Sequence, residues 1–283
     1  MPSPVVLGAL CLIVAEALFA GVGAMVKHLS ESLTQTQLVF FRNLAAMLVM
    51  LPWILRGGRT LIHTDKFPLH LFRASTGLIA MYCFFYVLAN MPLAPAMMAL
   101  LIAPFIVPLI ARVWLKETIS IKTLVAMMIG FVGAALVLNP GSEGINIFIV
   151  LAVLCACLVA TTKCTIRKLT DSEPSLRIVG YFTGISTIIS FFPMLWDWQP
   201  ISLHNTGLLA IMGVFAAVGQ VLMTRAFRLA SPVKIGLLTY TSVIFAAMLG
   251  YLLWQEPIST GLLAGSVLIV WAANITLRQR WLL

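Results

Sequence analysis

Apolar residues run along this chain in long blocks, and the polar residues gather in short clusters between them. A helix that crosses a hydrocarbon core of about 30 Å needs about 20 residues at ~1.5 Å each. Ten blocks meet that length: 4–26, 35–54, 69–89, 93–114, 121–139, 145–166, 177–195, 205–227, 233–253 and 260–280. The breaks between them carry turn chemistry. Arg56-Gly57-Gly58 closes the second block, and Asn90-Met91-Pro92 separates the third from the fourth. Asn139-Pro140-Gly141 closes the fifth, Glu173-Pro174 precedes the seventh, and Ser231-Pro232 separates the eighth from the ninth. Connections this short leave no room for a soluble domain. The pattern predicts an all-α integral membrane protein of ten transmembrane helices. The first block lacks a basic leader and a small-residue cleavage site, so it is expected to stay as the first helix.

Composition strengthens that reading. Of 283 residues, 61% are apolar and only 10% charged, which fits long membrane spans and no ordinary soluble domain. The net charge of +9 could suggest nucleic acid, but the positive residues cluster in the loops. They are read as an orientation signal, with no nucleic-acid partner. Cys11, Cys83, Cys155, Cys157 and Cys164 all lie inside apolar runs, and Cys155-x-Cys157 has no His at metal-ligand spacing. They read as small apolar packing residues. No cofactor or metal is implied.

Lys and Arg sort by side. Alternate loops and the C-terminal end hold 16 of the 18, the opposite loops hold Lys27 alone, and Arg42 lies inside the second block. Basic loops mark the cytoplasmic face, so both termini are expected in the cytoplasm. Losing or adding one helix would mix the basic loops across both sides.

A short phrase occurs twice. Trp114-Leu-Lys-Glu-Thr-Ile-Ser120 and Leu253-Trp-Gln-Glu-Pro-Ile-Ser259 each join two apolar blocks. A shift of 139 positions carries Glu117 onto Glu256, Ile119 onto Ile258, Ser120 onto Ser259 and Leu124 onto Leu263. Arg112, Lys116 and Lys122 surround the first copy, and no Lys or Arg lies near the second. The shift takes helices 1–5 onto helices 6–10. Five is odd, so the second copy is expected upside down, an arrangement characteristic of transporters. The chain divides into 1–140 and 141–283.

The two Glu-containing turns come with Phe40-Phe41-Arg42-Asn43 early in helix 2 and Met81-Tyr82-Cys83-Phe84-Phe85-Tyr86 in helix 3. Gly130 and Gly133 lie in helix 5. In this order and spacing, over the full length, the chain resembles the EamA family of the drug/metabolite transporter superfamily. Thr118 stands where a Pro often follows the Glu. The resemblance implies two inverted five-helix repeats, a central cavity and alternating access for a small organic solute, in the bacterial cytoplasmic membrane. It implies substrates such as amino acids, riboflavin or S-adenosylmethionine-like metabolites.

Six residues are candidates for the solute path. Glu16 lies about 16 Å into helix 1, near mid-bilayer, where a carboxylate is costly unless paired, protonated or facing water. It reads as a proton-coupling or substrate-amine site, or as half of a buried structural pair. Arg42, at a similar depth in helix 2, is its candidate partner, or a bidentate ligand for a substrate carboxylate, or an Arg reaching to the interface. Tyr82 and Tyr86 share a face of helix 3 and, with Tyr240 in helix 9, could wall a cavity or simply pack. Gln220 is an uncharged polar residue mid-helix that suits an interhelical hydrogen bond or a substrate contact. Lys163, Arg73, Arg225 and Arg228 are expected to reach toward the cytoplasmic interface. Gly130-x-x-Gly133 and Gly261-x-x-x-Gly265 mark helices 5 and 10 as packed scaffold. Glu117 and Glu256 are expected to meet the N-termini of those helices.

No phosphate loop of the type G-x-x-x-x-G-K-[ST] is present, which argues against ATP hydrolysis. His28, His63, His70 and His204 sit at loops or helix ends and build no Ser-His-Asp set, which argues against a membrane enzyme. A non-transporting receptor is a third reading. The leading one is a secondary transporter for an amino acid-like metabolite, working in export. The alternative is an importer of a vitamin or nucleoside-like metabolite. Its partners are the lipid bilayer and the solute, and a homodimer is compatible with this reading.

Overall fold

The computed structural model describes residues 3–90, 103–116, 119–138, 147–255 and 260–278. Among them are ten long helical segments: α1 (Pro4–Leu29), α2 (Gln35–Gly57), α3 (Phe67–Asn90), α4 (Ala103–Trp114), α5 (Ile121–Leu138), α6 (Ile147–Leu169), α7 (Ser175–Trp196), α8 (Leu203–Leu229), α9 (Pro232–Trp254) and α10 (Thr260–Arg278). α1, α2, α7, α8 and α9 are each long and apolar enough to cross a membrane. A single helical turn, Arg59–Ile62, lies between α2 and α3.

The ends are set by local chemistry. Ser3 caps α1 by accepting from the Val6 N–H, with Pro4 in the first turn, where its missing N–H is harmless. Thr34 and Gln37 form a reciprocal capping box at α2, and Ser202 caps α8 by accepting from the Asn205 N–H. α4 and the helical stretch of α9 each end at a residue of positive φ. Lys116 and Gln255 both have φ 55°, and they stand 139 positions apart. Glu117 and Glu256 lie outside the described residues.

The helices pair in a recurring way. α1 packs on α8 and α3 on α6; α1 packs on α9 and α4 on α6; α2 packs on α8 and α3 on α7. In each case adding five to the helix numbers turns the first pairing into the second. α2–α7 and α5–α10 are their own counterparts.

Close approach depends on glycine at a few crossings. A Cβ on Gly213 would lie 2.1 Å from that of Ala45, which lets α8 meet α2 almost backbone to backbone. A Cβ on Gly133 would lie 2.8 Å from both the Gly265 carbonyl oxygen and the Leu268 Cβ, so α5 and α10 touch where the sequence places its scaffold glycines.

α9 departs from the sequence expectation of one continuous helix over 233–253. It is α-helical over Pro232–Ile235, tightens to a 3₁₀ stretch over Gly236–Tyr240, and resumes as α-helix over Thr241–Trp254. Such a stretch inside a helix frees backbone groups that are tolerated at membrane depth only against protein or a cavity. Here it borders a cavity.

Candidate functional site

Side chains from eight helices enclose a cavity of about 230 Å³. α1 contributes Glu16, α2 Arg42, α3 Arg73 and Gly77, and α4 Ala103. Lys163 comes from α6, Phe182 from α7, Gln220 from α8, and Thr239 and Tyr240 from the 3₁₀ stretch of α9. No described residue of α5 or α10 lines it.

Most of the wall is apolar, and the polar groups converge in two clusters. In the first, Lys163 Nζ donates to Thr239 Oγ1 at 2.9 Å. The Glu16 carboxylate faces the Thr239 side chain, and the Lys163 charge acts on that carboxylate. Glu16 is 5% exposed and Lys163 6%. A carboxylate and an ammonium removed from water require this kind of mutual support. The cluster joins α1 and α6 to the break in α9.

The second cluster holds two guanidinium groups. Arg42 donates to the Asn43 Oδ1 at 2.9 Å, and Arg73 Nη2 donates to Gln220 Oε1 at 2.7 Å. Both rest on the Phe182 ring, with Cζ 5.8 Å from its centroid for Arg42 and 3.5 Å for Arg73. Gly77, one turn beyond Arg73 on α3, leaves room for this: a Cβ there would lie 2.7 Å from Arg73 Nη1.

Four of the six sequence candidates, Glu16, Arg42, Gln220 and Tyr240, line this cavity. Tyr82 and Tyr86 do not. The cavity face of α3 runs through Arg73, Gly77, Ala80, Met81 and Phe84, following the helical period. Tyr86 points outward at 43% exposure, and Tyr82 packs against the Leu38 and Leu78 cluster. Neither tyrosine lies on the cavity's face of α3. Of the alternatives for Arg42, an ion pair with Glu16 does not form. Depth was matched, but helix rotation turns Arg42 toward Asn43 and Phe182, and the cation facing Glu16 is Lys163.

Two basic residues overturn the expectation that they reach for the interface. Lys163 has six further helical residues beyond it, to Leu169, or about 9 Å of helix. Arg73 is 1% exposed. Both turn inward because the cavity offers partners nearer than the bilayer surface: Thr239 for Lys163, Gln220 and the Phe182 ring for Arg73. A signal was present in the polar streak Thr161-Thr162-Lys163-Cys164-Thr165 inside an apolar helix. Arg225 and Arg228 are exposed, as expected.

Outside the membrane-spanning part, at the end of the bundle that carries the basic loops, Glu173 ties two connections together. It accepts from Arg177 and from Thr64 Oγ1, the latter at 2.8 Å, and lies 3.8 Å from His70 Nε2. Burial alone would raise the Glu173 carboxyl, but the Arg177 and Thr64 hydrogen bonds, with the charges of Arg177 and His70, hold it below the usual carboxylate value.

An all-helical bundle whose cavity gathers buried opposite charges suits a solute carrier. A model of the EamA-like transporter family matches the chain twice, over residues 6–139 and 146–278. The chain belongs to that family. It is 30% identical to the Pseudopaline exporter CntI of Pseudomonas aeruginosa over 267 residues, covering 93% of each chain. It is 24% identical to the Riboflavin transporter of Brucella anthropi, over 86% of this chain and 87% of that one. It is also 24% identical to the S-adenosylmethionine uptake transporter of Rickettsia bellii, over 87% and 84%. A solved crystal structure aligns with a TM-score of 0.80 at 14% identity, over 96% of this chain and 99% of that one, which supports the fold alone. The protein is a transporter and not an enzyme, a multi-pass protein of the bacterial inner membrane that moves a small-molecule solute.

Proposed function

We propose that the chain is a secondary transporter that exports an amino acid-like metabolite by alternating access. The observation that carries this reading is the pairing of a carboxylate, Glu16, with guanidinium groups, Arg42 and Arg73, across one buried cavity. An amine and a carboxylate on one small molecule match that arrangement. The size favours it too: about 230 Å³ is small beside the ~300–1,000 Å³ of drug-sized ligand sites. The exporter relative at 30% identity points the same way. Uptake of a vitamin or nucleoside-like metabolite is the second reading, supported by the riboflavin transporter and S-adenosylmethionine uptake transporter relatives.

In this proposal residues 1–140 and 141–283 are inverted repeats with both termini in the cytoplasm. Support comes from the one-sided Lys and Arg, from the matching φ at Lys116 and Gln255, and from helix pairings that recur five helices on. Glu16 couples transport to protons. A proton on its carboxylate removes the attraction to Lys163, which loosens α1 from α6 and the broken stretch of α9.

The test is flux in proteoliposomes with an imposed pH gradient, across amino acids, vitamins and nucleosides. Wild type is expected to move an amine- and carboxylate-bearing solute with a pH dependence that Glu16→Gln abolishes. Unchanged pH dependence in that variant sinks the coupling role, and flux confined to vitamins or nucleosides selects the second reading.

A further inference from the structure

The two guanidinium groups are more than one amino acid carboxylate requires. Arg73 is 1% exposed, yet its Nε and Nη1 have no hydrogen-bond partner, and only Nη2 is engaged, by Gln220. Buried donors left unmade are costly, and more so on a charged group. Arg42 shares the Phe182 ring with Arg73, so two like charges sit together with an aromatic face between neutral partners. Among the described lining residues the one carboxylate is Glu16, and it belongs to the Lys163–Thr239 cluster. Three cations therefore face one anion, an excess of two positive charges in a water-poor site.

We propose that the solute carries at least two carboxylates beside its amine, an anionic amino-polycarboxylate whose acid groups offset the excess positive charge of Arg73 and Arg42. Arginine suits this role because its planar fork takes a carboxylate by two parallel hydrogen bonds, which a lysine cannot. Gly77 belongs to the same device. Its missing side chain leaves the space in which the Arg73 guanidinium lies over Phe182. A free amino acid with one carboxylate would satisfy one guanidinium and leave the other bare. The inference rests on the reading of the cavity as a site for an amine-bearing solute.

The experiment measures competition and flux with purified full-length protein in proteoliposomes. The probes are L-alanine, L-glutamate, iminodiacetate, nitrilotriacetate and inorganic phosphate. Glutamate and the two amino-polycarboxylates are expected to half-saturate at concentrations about tenfold or more below that of alanine, equivalent to about 1.4 kcal/mol. Arg73→Gln should bring that ratio close to one. Gly77→Ala keeps the charge but pushes the guanidinium aside, and should lower the ratio in the same direction. If Arg73→Gln fails to fold, Gly77→Ala decides alone. Alanine matching the polycarboxylates, a ratio unchanged in both variants, or phosphate outcompeting every carboxylate overturns the inference while leaving transport intact. Absence of flux for all probes and all amino acids overturns the amino acid-like solute reading and this inference with it.

Discussion

Replacing Lys163 by Met removes the positive charge that faces Glu16 and keeps most of the apolar stem. Lys163 Nζ is 2.9 Å from Thr239 Oγ1. With the carboxylate and the ammonium on either side of that hydroxyl, their separation is on the order of 5 Å. At an effective dielectric of about 20, opposite charges at that separation attract by about 3 kcal/mol. Lys163→Met should therefore leave an uncompensated buried carboxylate, while Lys163→Met with Glu16→Gln should recover most of the loss. For a chain of this size about 3 kcal/mol corresponds to a melting shift on the order of 6 °C. The assay is a thermal melt of the purified protein in one detergent at one heating rate, for wild type, both single variants and the double. A coupling of about 3 kcal/mol is expected from the four-way cycle. If the two single effects simply add, to within about 0.5 kcal/mol, then Lys163 and Glu16 do not support one another and the first cluster is not a unit.

Gly133→Ala should destabilise by about 1–3 kcal/mol, because the new Cβ meets Gly265 and Ile269 backbone atoms at 2.8 and 3.1 Å and α5 must lift from α10. A melting temperature equal to wild type would refute that contact. Glu173 gives a pH prediction outside the membrane. Its carboxyl is held below the ordinary 4.5, so the stability it contributes is complete above that pH and is lost as pH falls through the lowered value. The melting difference between wild type and Glu173→Gln should accordingly stay level from neutral pH down to about 4.5 and shrink below it; a difference already gone at mildly acidic pH would contradict the clamp. Tyr86→Phe should leave solute competition within about twofold of wild type, since surface changes away from a site have small effects; a large loss would return Tyr86 to the solute path.

The helices were legible because lipid demands uninterrupted apolar runs, and most breaks carried Gly, Pro or Asn. Glu16 and Arg42 were legible because a charge in mid-run has few explanations. Lys163 and Arg73 were not, because a cation within two turns of a helix end is usually explained by the nearby interface. Reading them correctly requires the rotation of each helix about its axis, and only packing fixes that. The same gap separates Tyr82 and Tyr86 from the cavity: their shared face follows from spacing, its direction does not. The break in α9 was hinted at by Gly236 and by the polar run Thr239-Tyr240-Thr241-Ser242, residues of middling helix propensity that also occur in unbroken spans.

The excess of positive charge in the cavity has an electrical consequence. When an alternating-access carrier switches sides, the membrane voltage drops across the newly closed barrier, so charges fixed at the centre pass from one bulk potential to the other. One elementary charge taken through 100 mV is worth about 2.3 kcal/mol. An empty site holding two uncompensated positive charges is then drawn by an inside-negative voltage to face the cytoplasm, and a site loaded with a net anionic cargo feels a weaker pull. The voltage would return the empty carrier to the side where an exporter collects its load. A transient current from solute-free proteoliposomes, absent in Arg73→Gln combined with Arg42→Gln, would be its signature.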